Sequence, residues 1–193
     1  VQIASDGEIL VRGELVMQGY WNNEEATAET IKDGWLHTGD IGEIDEDGYI
    51  CITDRKKDII VNSGGDNIAP QRVEGMLTIE PEIAQAMVYG DKQPHLVALI
   101  VPDADFTVDW INANGSEKCE LLDLIENENF VASIRKALDR VNSRLNSIER
   151  VRRFKLISEP FSIDNEMLTP SMKIRRHVIK KCYGDDLEAL YGT

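Results

Sequence analysis

Glycine is the residue that most constrains this chain, because it is so unevenly spread. Of 14 glycines, nine (Gly7, Gly13, Gly19, Gly34, Gly39, Gly42, Gly48, Gly64 and Gly65) fall in the first 65 residues. Glycine serves where a chain turns sharply, so this density argues against long helices and for short strands joined by tight turns. Glu8–Val16 alternates around Gly13 as a strand. Asn23 can cap a short helix over Glu24–Ile31, with Glu24 and Glu25 in its positively polarised first turn. Asp33-Gly34 predicts a turn, and Gly42–Ile44 with Tyr49–Thr53 predicts a hairpin joined through Asp45-Glu46-Asp47-Gly48.

The polar run Asp54-Arg55-Lys56-Lys57-Asp58 ends this β-rich part and is the clearest boundary in the chain. Beyond it Ile59-Ile60-Val61 predicts a buried strand, and Asn62–Ala69 a loop holding Gly64-Gly65. Pro70 suits the first turn of a helix running to about Ile79. Ile83–Tyr89 and Leu96–Val101 predict strands of a second sheet. Helical periodicity covers Leu121–Ile125 and Phe130–Ile148. A strand is expected over Arg152–Ile157, and short helices over Ile174–Tyr183 and Asp186–Tyr191. The second part is therefore α+β, a small sheet with helices beside it.

Charge narrows the range of partners. With 21 Lys and Arg against 35 Asp and Glu, the net charge of −14 disfavours nucleic acid and an anionic membrane surface. It leaves room for a small anion held by a few local cations. Cys51, Cys119 and Cys182 are odd in number and form no close pair, which points to a reducing, cytoplasmic setting with neither disulfide framework nor zinc. His37, His95 and His177 are scattered, so no metal site is expected. No apolar run approaches the roughly 20 residues of a membrane span. The opening Val1 suggests a piece of a longer protein.

Four short motifs bear chemistry, each weak alone. Trp35-Leu36-His37-Thr38-Gly39-Asp40 contains a Thr-Gly-Asp that is commonly a turn. A carboxylate there could also accept from both hydroxyls of a ribose. Asp54–Asp58 is by itself a solvated charge cluster. Ser63–Pro70 with Glu74 is a loop before a helix, whose two glycines permit close approach of backbone to a ligand. Leu168-Thr169-Pro170-Ser171-Met172-Lys173-Ile174-Arg175-Arg176 places a lysine in a proline-containing loop ahead of a helix.

The order and spacing of the four are specific. Together they resemble the C-terminal part of the adenylate-forming (acyl-activating) enzymes, and most closely the AMP-forming long-chain fatty acyl-CoA ligases. Gly13-Glu14-Leu15 through Gly19-Tyr20-Trp21 resembles that family's Gly-Glu-Leu…Gly-Tyr segment, and Asp33–Gly42 its fatty-acyl-CoA ligase signature. Asp54–Ile60 is similar to the interdomain linker and Leu168–Arg176 to the terminal lysine motif; the long helical stretch between Phe106 and Ile148 is like the long-chain branch.

The resemblance implies that residues 1–55 end a large N-terminal adenylation domain, as a truncated β-barrel-like subdomain, and that residues 56–193 form a small mobile α+β C-terminal domain. Such enzymes join a carboxylate to ATP, giving acyl-AMP and pyrophosphate; the C-terminal domain then swings and the thiol of coenzyme A attacks. In that scheme Asp40 holds the ribose hydroxyls, Arg55 assists there, and Lys57 is the hinge. Lys173 reaches the site for the first step only, Gly64 and Gly65 turn towards the pantetheine channel for the second, and Arg175, Arg176, Lys180 and Lys181 are either coenzyme A contacts or a solvated basic helix. The implied partners are a fatty acid, ATP with Mg²⁺, coenzyme A and the N-terminal domain in cis, through which any membrane contact would run. The family's phosphate loop and acyl tunnel are absent from these 193 residues, so the isolated chain is expected to be inactive and to expose apolar surface. Other acyl-adenylating enzymes, among them acyl-AMP ligases and ligases for shorter or aromatic acids, share the four motifs. A free-standing regulatory domain without catalysis and a nucleotide-binding module without transfer are the remaining alternatives.

Overall fold

A computed structural model describes residues 1–114 and 121–192. Cys119 lies outside the described residues. Two compact units are present, Val1–Ile59 and Ile60–Thr193.

The first unit is a five-stranded antiparallel sheet: β1 (Gln2–Ile3), β2 (Glu8–Val11), β3 (Ile31–Lys32), β4 (Trp35–Ile44) and β5 (Ile50–Arg55). β4 is its spine and pairs with β2, β3 and β5. Asn23 caps α1 (Glu24–Thr30) by accepting from the Ala26 amide at 3.0 Å, as the sequence predicts. Asp33 (φ 52°) and Gly34 (φ 78°) make the two-residue turn between β3 and β4, both in the left-handed conformation that matches strand twist. Two expectations are corrected. The strand from Glu8 stops at Val11, four residues before Leu15, which stands fully exposed. Thr38-Gly39-Asp40 is no turn either, because it lies inside the ten-residue β4. The outer face of the β4–β5 hairpin is apolar and uncovered, with Ile44, Tyr49, Ile50 and Ile52 exposed.

The second unit opens with a small hairpin, β6 (Ile60–Val61) paired antiparallel with β7 (Asn67–Ile68), where the sequence predicts a strand and then a loop. Pro70 stands at the start of α2 (Pro70–Leu77), where its missing N–H costs no helical bond. The main sheet has β9 (Leu96–Pro102) at its centre, antiparallel to β8 (Ile83–Tyr89) and parallel to β10 (Val151–Leu156). All seven residues of β9 are buried, so it reads as a continuous apolar run rather than an alternation.

Alternate β9 residues serve two cores. Leu96, Ala98 and Ile100 pack with Val73 and Leu77 of α2 and with Phe130, Ile134, Leu138 and Val141 of α5 (Glu128–Asn142). Val97, Leu99 and Val101 pack with Phe161, Leu168 and with Ile179 and Leu187 of α6 (Arg176–Ala189). The result is three layers, helices on both faces of a mixed sheet. α3 (Ala104–Asn114) has its first turn held by Asp103 and lays Trp110 edge-on to Phe130 at 5.3 Å. α4 (Leu121–Leu124) is a single turn, and α5 ends at Asn142 rather than reaching Ile148. α6 is two helices meeting at a kink at Tyr183 (φ −117°, ψ 18°), where the sequence predicts the first of two terminal helices to end. Among the described residues no helix is long and apolar enough to cross a membrane.

Candidate functional site

In the first unit Asp40 stands on a bulge. Glu8 pairs with Ile41 and Leu10 with His37, so β4 carries extra residues opposite Ile9, and Thr38-Gly39-Asp40 form the swelling. Gly39 takes φ 72°, which only glycine adopts without strain. Thr38 fixes the swelling by donating Oγ1–H to the Ile9 carbonyl at 2.7 Å and accepting the Asp40 amide at 3.1 Å. Asp40 is opposite Arg55 in the β4–β5 register, and Arg55 Nε donates to its Oδ1 at 3.0 Å. A carboxylate has about four acceptor sites, so one guanidinium contact leaves capacity for two hydroxyls. A cleft of about 690 Å³ opens within this unit, lined by Tyr20, His37, Thr38, Arg55 and Lys57 among others.

Beneath the bulge lies a group that sequence reasoning missed. Glu8 is buried at 4% exposure. Its Oε1 accepts the Gly39 amide at 2.9 Å, and its Oε2 meets His37 Nδ1 at 2.9 Å and Lys56 Nζ at 3.0 Å. Burial alone would raise the Glu8 carboxyl, but hydrogen bonds from His37, Lys56 and Gly39 outweigh it and hold it below its ordinary value. Lys56 also pairs with Asp6 at 2.6 Å, and its ammonium is pushed up by the bonds to Asp6 and then Glu8. The Lys56 amide donates to the Gly39 carbonyl at 2.8 Å. Glu8 and Lys56 thus fix both peptide groups of Gly39. The clue available in sequence was Gly7-Glu8 opening a strand, a pattern too common to single out. Lys57 follows immediately as an exposed turn residue, two positions before the first unit ends.

In the second unit Gly64 and Gly65 sit at the tip of the β6–β7 hairpin. Both amides are already used. Asn62 Oδ1 accepts from Gly64 at 2.9 Å and the Asn62 carbonyl from Gly65 at 3.1 Å. The loop therefore offers no free donor from these two residues. It offers clearance instead, since a Cβ added at Gly65 would meet nothing within 4 Å.

Lys173 is exposed on a loop closed like a hairpin by the Leu168–Ile174 bridge. Thr169 ties its base twice, donating its amide to the Lys173 carbonyl at 2.8 Å and accepting the Lys173 amide on Oγ1 at 3.0 Å. Two of the four cations considered for coenzyme A are engaged within the unit. Arg176 grips Glu74, and Lys180 lies 4.7 Å from the centre of the Tyr89 ring.

A family model, AMP-binding enzyme C-terminal domain, matches residues 57–193. The chain belongs to this family. It is 42% identical over all 193 residues to the long-chain-fatty-acid–CoA ligase FadD15 of Mycobacterium tuberculosis, covering 32% of that protein. It is 37% identical over 192 residues to the human long-chain-fatty-acid–CoA ligase 1, covering 27% of it. The chain thus spans about a third or less of the length of these curated relatives. Among solved structures, the adenylation domain of a carboxylate reductase from Mycobacterium chelonae matches with a TM-score of 0.81 and 26% identity, over 97% of this chain and 28% of that one. The corresponding domain from Segniliparus rugosus, solved with AMP and a carboxylic acid, matches at 0.80 and 26%, over 96% and 28%. The mixed α+β architecture is that of these AMP-forming enzymes.

Proposed function

We propose that this chain is the C-terminal part of an ATP-dependent long-chain fatty acid–CoA ligase, which forms an acyl-adenylate and then a thioester. Residues 1–55 then end the N-terminal adenylation domain, and residues 56–193 form the mobile domain turning about Lys57. The observation that carries this reading is Asp40. It is a carboxylate set on a bulge and steadied by Arg55, in a chain 42% identical along its whole length to a long-chain ligase.

Each residue has a physical task in that reaction. Asp40 accepts from the two ribose hydroxyls, and Arg55 holds its plane. When the acyl carboxylate attacks the α-phosphate, negative charge gathers between two anions. The Lys173 ammonium, on a long stem from an exposed loop, neutralises it there. Removing one such charge costs on the order of 3–4 kcal/mol, or 10²–10³ in rate. Gly64-Gly65 is the side-chain-free surface past which a pantetheine arm can run. Mg²⁺ would arrive on the phosphates of ATP. Among the described residues no group of three or more His, Cys, Asp or Glu is placed to hold a metal. Grip on the phosphates and on the acyl chain falls to the N-terminal domain in cis.

The adenylation domains of carboxylate reductases share the fold at 26% identity, whereas the long-chain CoA ligases of Mycobacterium tuberculosis and human reach 42% and 37%. Coenzyme A is therefore the acceptor favoured here. The test is pyrophosphate release by the full-length protein with ATP, Mg²⁺ and long-chain, short-chain or aromatic acids in turn. Release with the long-chain acid, thioester on adding coenzyme A, and loss of release in Lys173→Ala are expected. Release that is unchanged in Lys173→Ala, or strongest with aromatic acids, would overturn it.

A further inference from the structure

The second unit contains a buried ion pair that the proposed chemistry does not use. Arg176 Nη1 and Nη2 donate to Glu74 Oε1 and Oε2 at 2.7 and 2.6 Å, a two-pronged contact. Glu74 is 6% exposed and the Arg176 side chain 22%. Glu74 Oε1 also accepts the Val88 amide at 2.8 Å, and Arg176 Nη1 donates to the Val88 carbonyl at 3.2 Å. Val88 lies on β8, an edge of the main sheet, so the pair satisfies that edge as a further strand would.

Its position along the chain is informative. Arg176 begins α6, three residues after Lys173, and between them Ile174 bridges to Leu168. Glu74 lies in α2, which starts two residues after the hairpin bearing Gly64-Gly65. The pair thus bolts the base of the lysine loop to the helix that carries the glycine loop, through a strand of the sheet. Burying an ion pair is a poor means of gaining stability, because an apolar pair of similar volume commonly does as well. What a bidentate pair supplies is fixed geometry.

We propose that Glu74–Arg176 is a positioning pair for Lys173. It sets where the lysine loop leaves the domain, and so governs the step that needs Lys173 while leaving the other step alone. This inference rests on the reading of Lys173 as the cation of adenylation. Neither residue touches a reacting group; both act through the loop. A displacement of about 1 Å at a reacting group can cost about 10²-fold in rate. Losing the fork should therefore slow adenylation by about 10- to 100-fold.

The experiment uses the full-length protein with Arg176→Lys, which keeps the charge and loses the fork, and Glu74→Gln, which keeps the shape and loses the charge. Adenylation is followed by ATP–pyrophosphate exchange, and thioester formation by supplying synthetic acyl-adenylate and coenzyme A. The expected result is a fall in adenylation kcat with KM for ATP unchanged, and thioester formation within about threefold of the parent. Thermal melting identifies variants that are folded. Equal losses in both steps, or full adenylation in a folded Arg176→Lys, would overturn the proposal. Lys173→Ala in parallel separates the two readings. If it leaves exchange intact, the assignment of Lys173 fails and this inference with it. If it abolishes exchange while the pair variants do not, the positioning role alone fails.

Discussion

Glu8→Gln probes how the Asp40 bulge is held. The substitution keeps the side chain's shape and its Oε1, so the acceptor for the Gly39 amide at 2.9 Å can survive. It removes the charge facing His37 at 2.9 Å and Lys56 at 3.0 Å. A hydrogen bond to a charged group contributes about 1.5–3 kcal/mol to stability. Lys56 is not orphaned, because Asp6 still pairs with it at 2.6 Å, so the loss stays near the lower end of that range, about 2 kcal/mol. Two peptide groups report it directly. The Gly39 amide bonds Glu8, and the Lys56 amide bonds the Gly39 carbonyl. A change of about 2 kcal/mol in local opening speeds their hydrogen exchange about 30-fold at neutral pH, while amides on β9 in the other unit stay within about twofold. Acid supplies an internal control. Because hydrogen bonds hold the Glu8 carboxyl below its ordinary value of 4.5, its stabilisation is complete above that pH and disappears as pH falls through the lowered value. The gap between parent and Glu8→Gln should close in the same window. Equal exchange at Gly39 in the two proteins at neutral pH would refute the view that a charged Glu8 holds the bulge.

Other outcomes follow from the same geometry. Asp40→Asn in the full-length protein should weaken ATP binding about tenfold or more, since a neutral amide is a poorer double acceptor for a diol; calorimetric titration checks this. Gly65→Ala forces a side chain into φ +85° and should cost about 1–2 kcal/mol in urea unfolding of the second unit, although space for the methyl is open. Leu99→Ala empties a fully buried position on the central strand and should cost about 2.7–5 kcal/mol by the same measurement.

How far the sequence foretold this molecule depends on the range of the interaction involved. Local patterns are legible. Asn23 caps its helix, Asp33-Gly34 turns, Pro70 starts α2, and the apolar runs of β8 and β9 are strands. Each of these is decided within a few residues by propensity and hydrogen bonding. Local pattern misleads where a partner distant in sequence decides. Thr38-Gly39-Asp40 looks like a turn because Gly39 does take a turn-like φ, yet β2 and β5 on either side keep it in a strand as a bulge. The β6–β7 hairpin looks in sequence like a strand and a loop because two-residue strands carry no periodicity to detect. The break in α6, by contrast, is legible in the sequence: Tyr183 leaves the helical angles, and Ile179 and Leu187 on either side of the kink enter the same core.

The same distinction separates two kinds of candidate residue in the two units. Asp40, Arg55, Lys57 and Lys173 stand in short motifs and announce themselves by composition. Glu8 and Glu74 do not, although each organises one of those motifs from far along the chain: Glu8 reaches Lys56 over 48 residues and Glu74 reaches Arg176 over 102. A carboxylate exposed in a loop can be exchanged for solvent contacts at small cost. One buried under a bulge or between two helices has no such substitute, because its loss leaves N–H donors unsatisfied in a dry setting. Lys57 and Lys173, exposed on a turn and a loop, can therefore be altered at small cost in stability, whereas altering either buried glutamate costs local stability. Paired half-reaction and exchange measurements on Lys173, Glu74 and Glu8 variants distinguish these cases, and the chain predicts that order, from rate alone to rate with local stability.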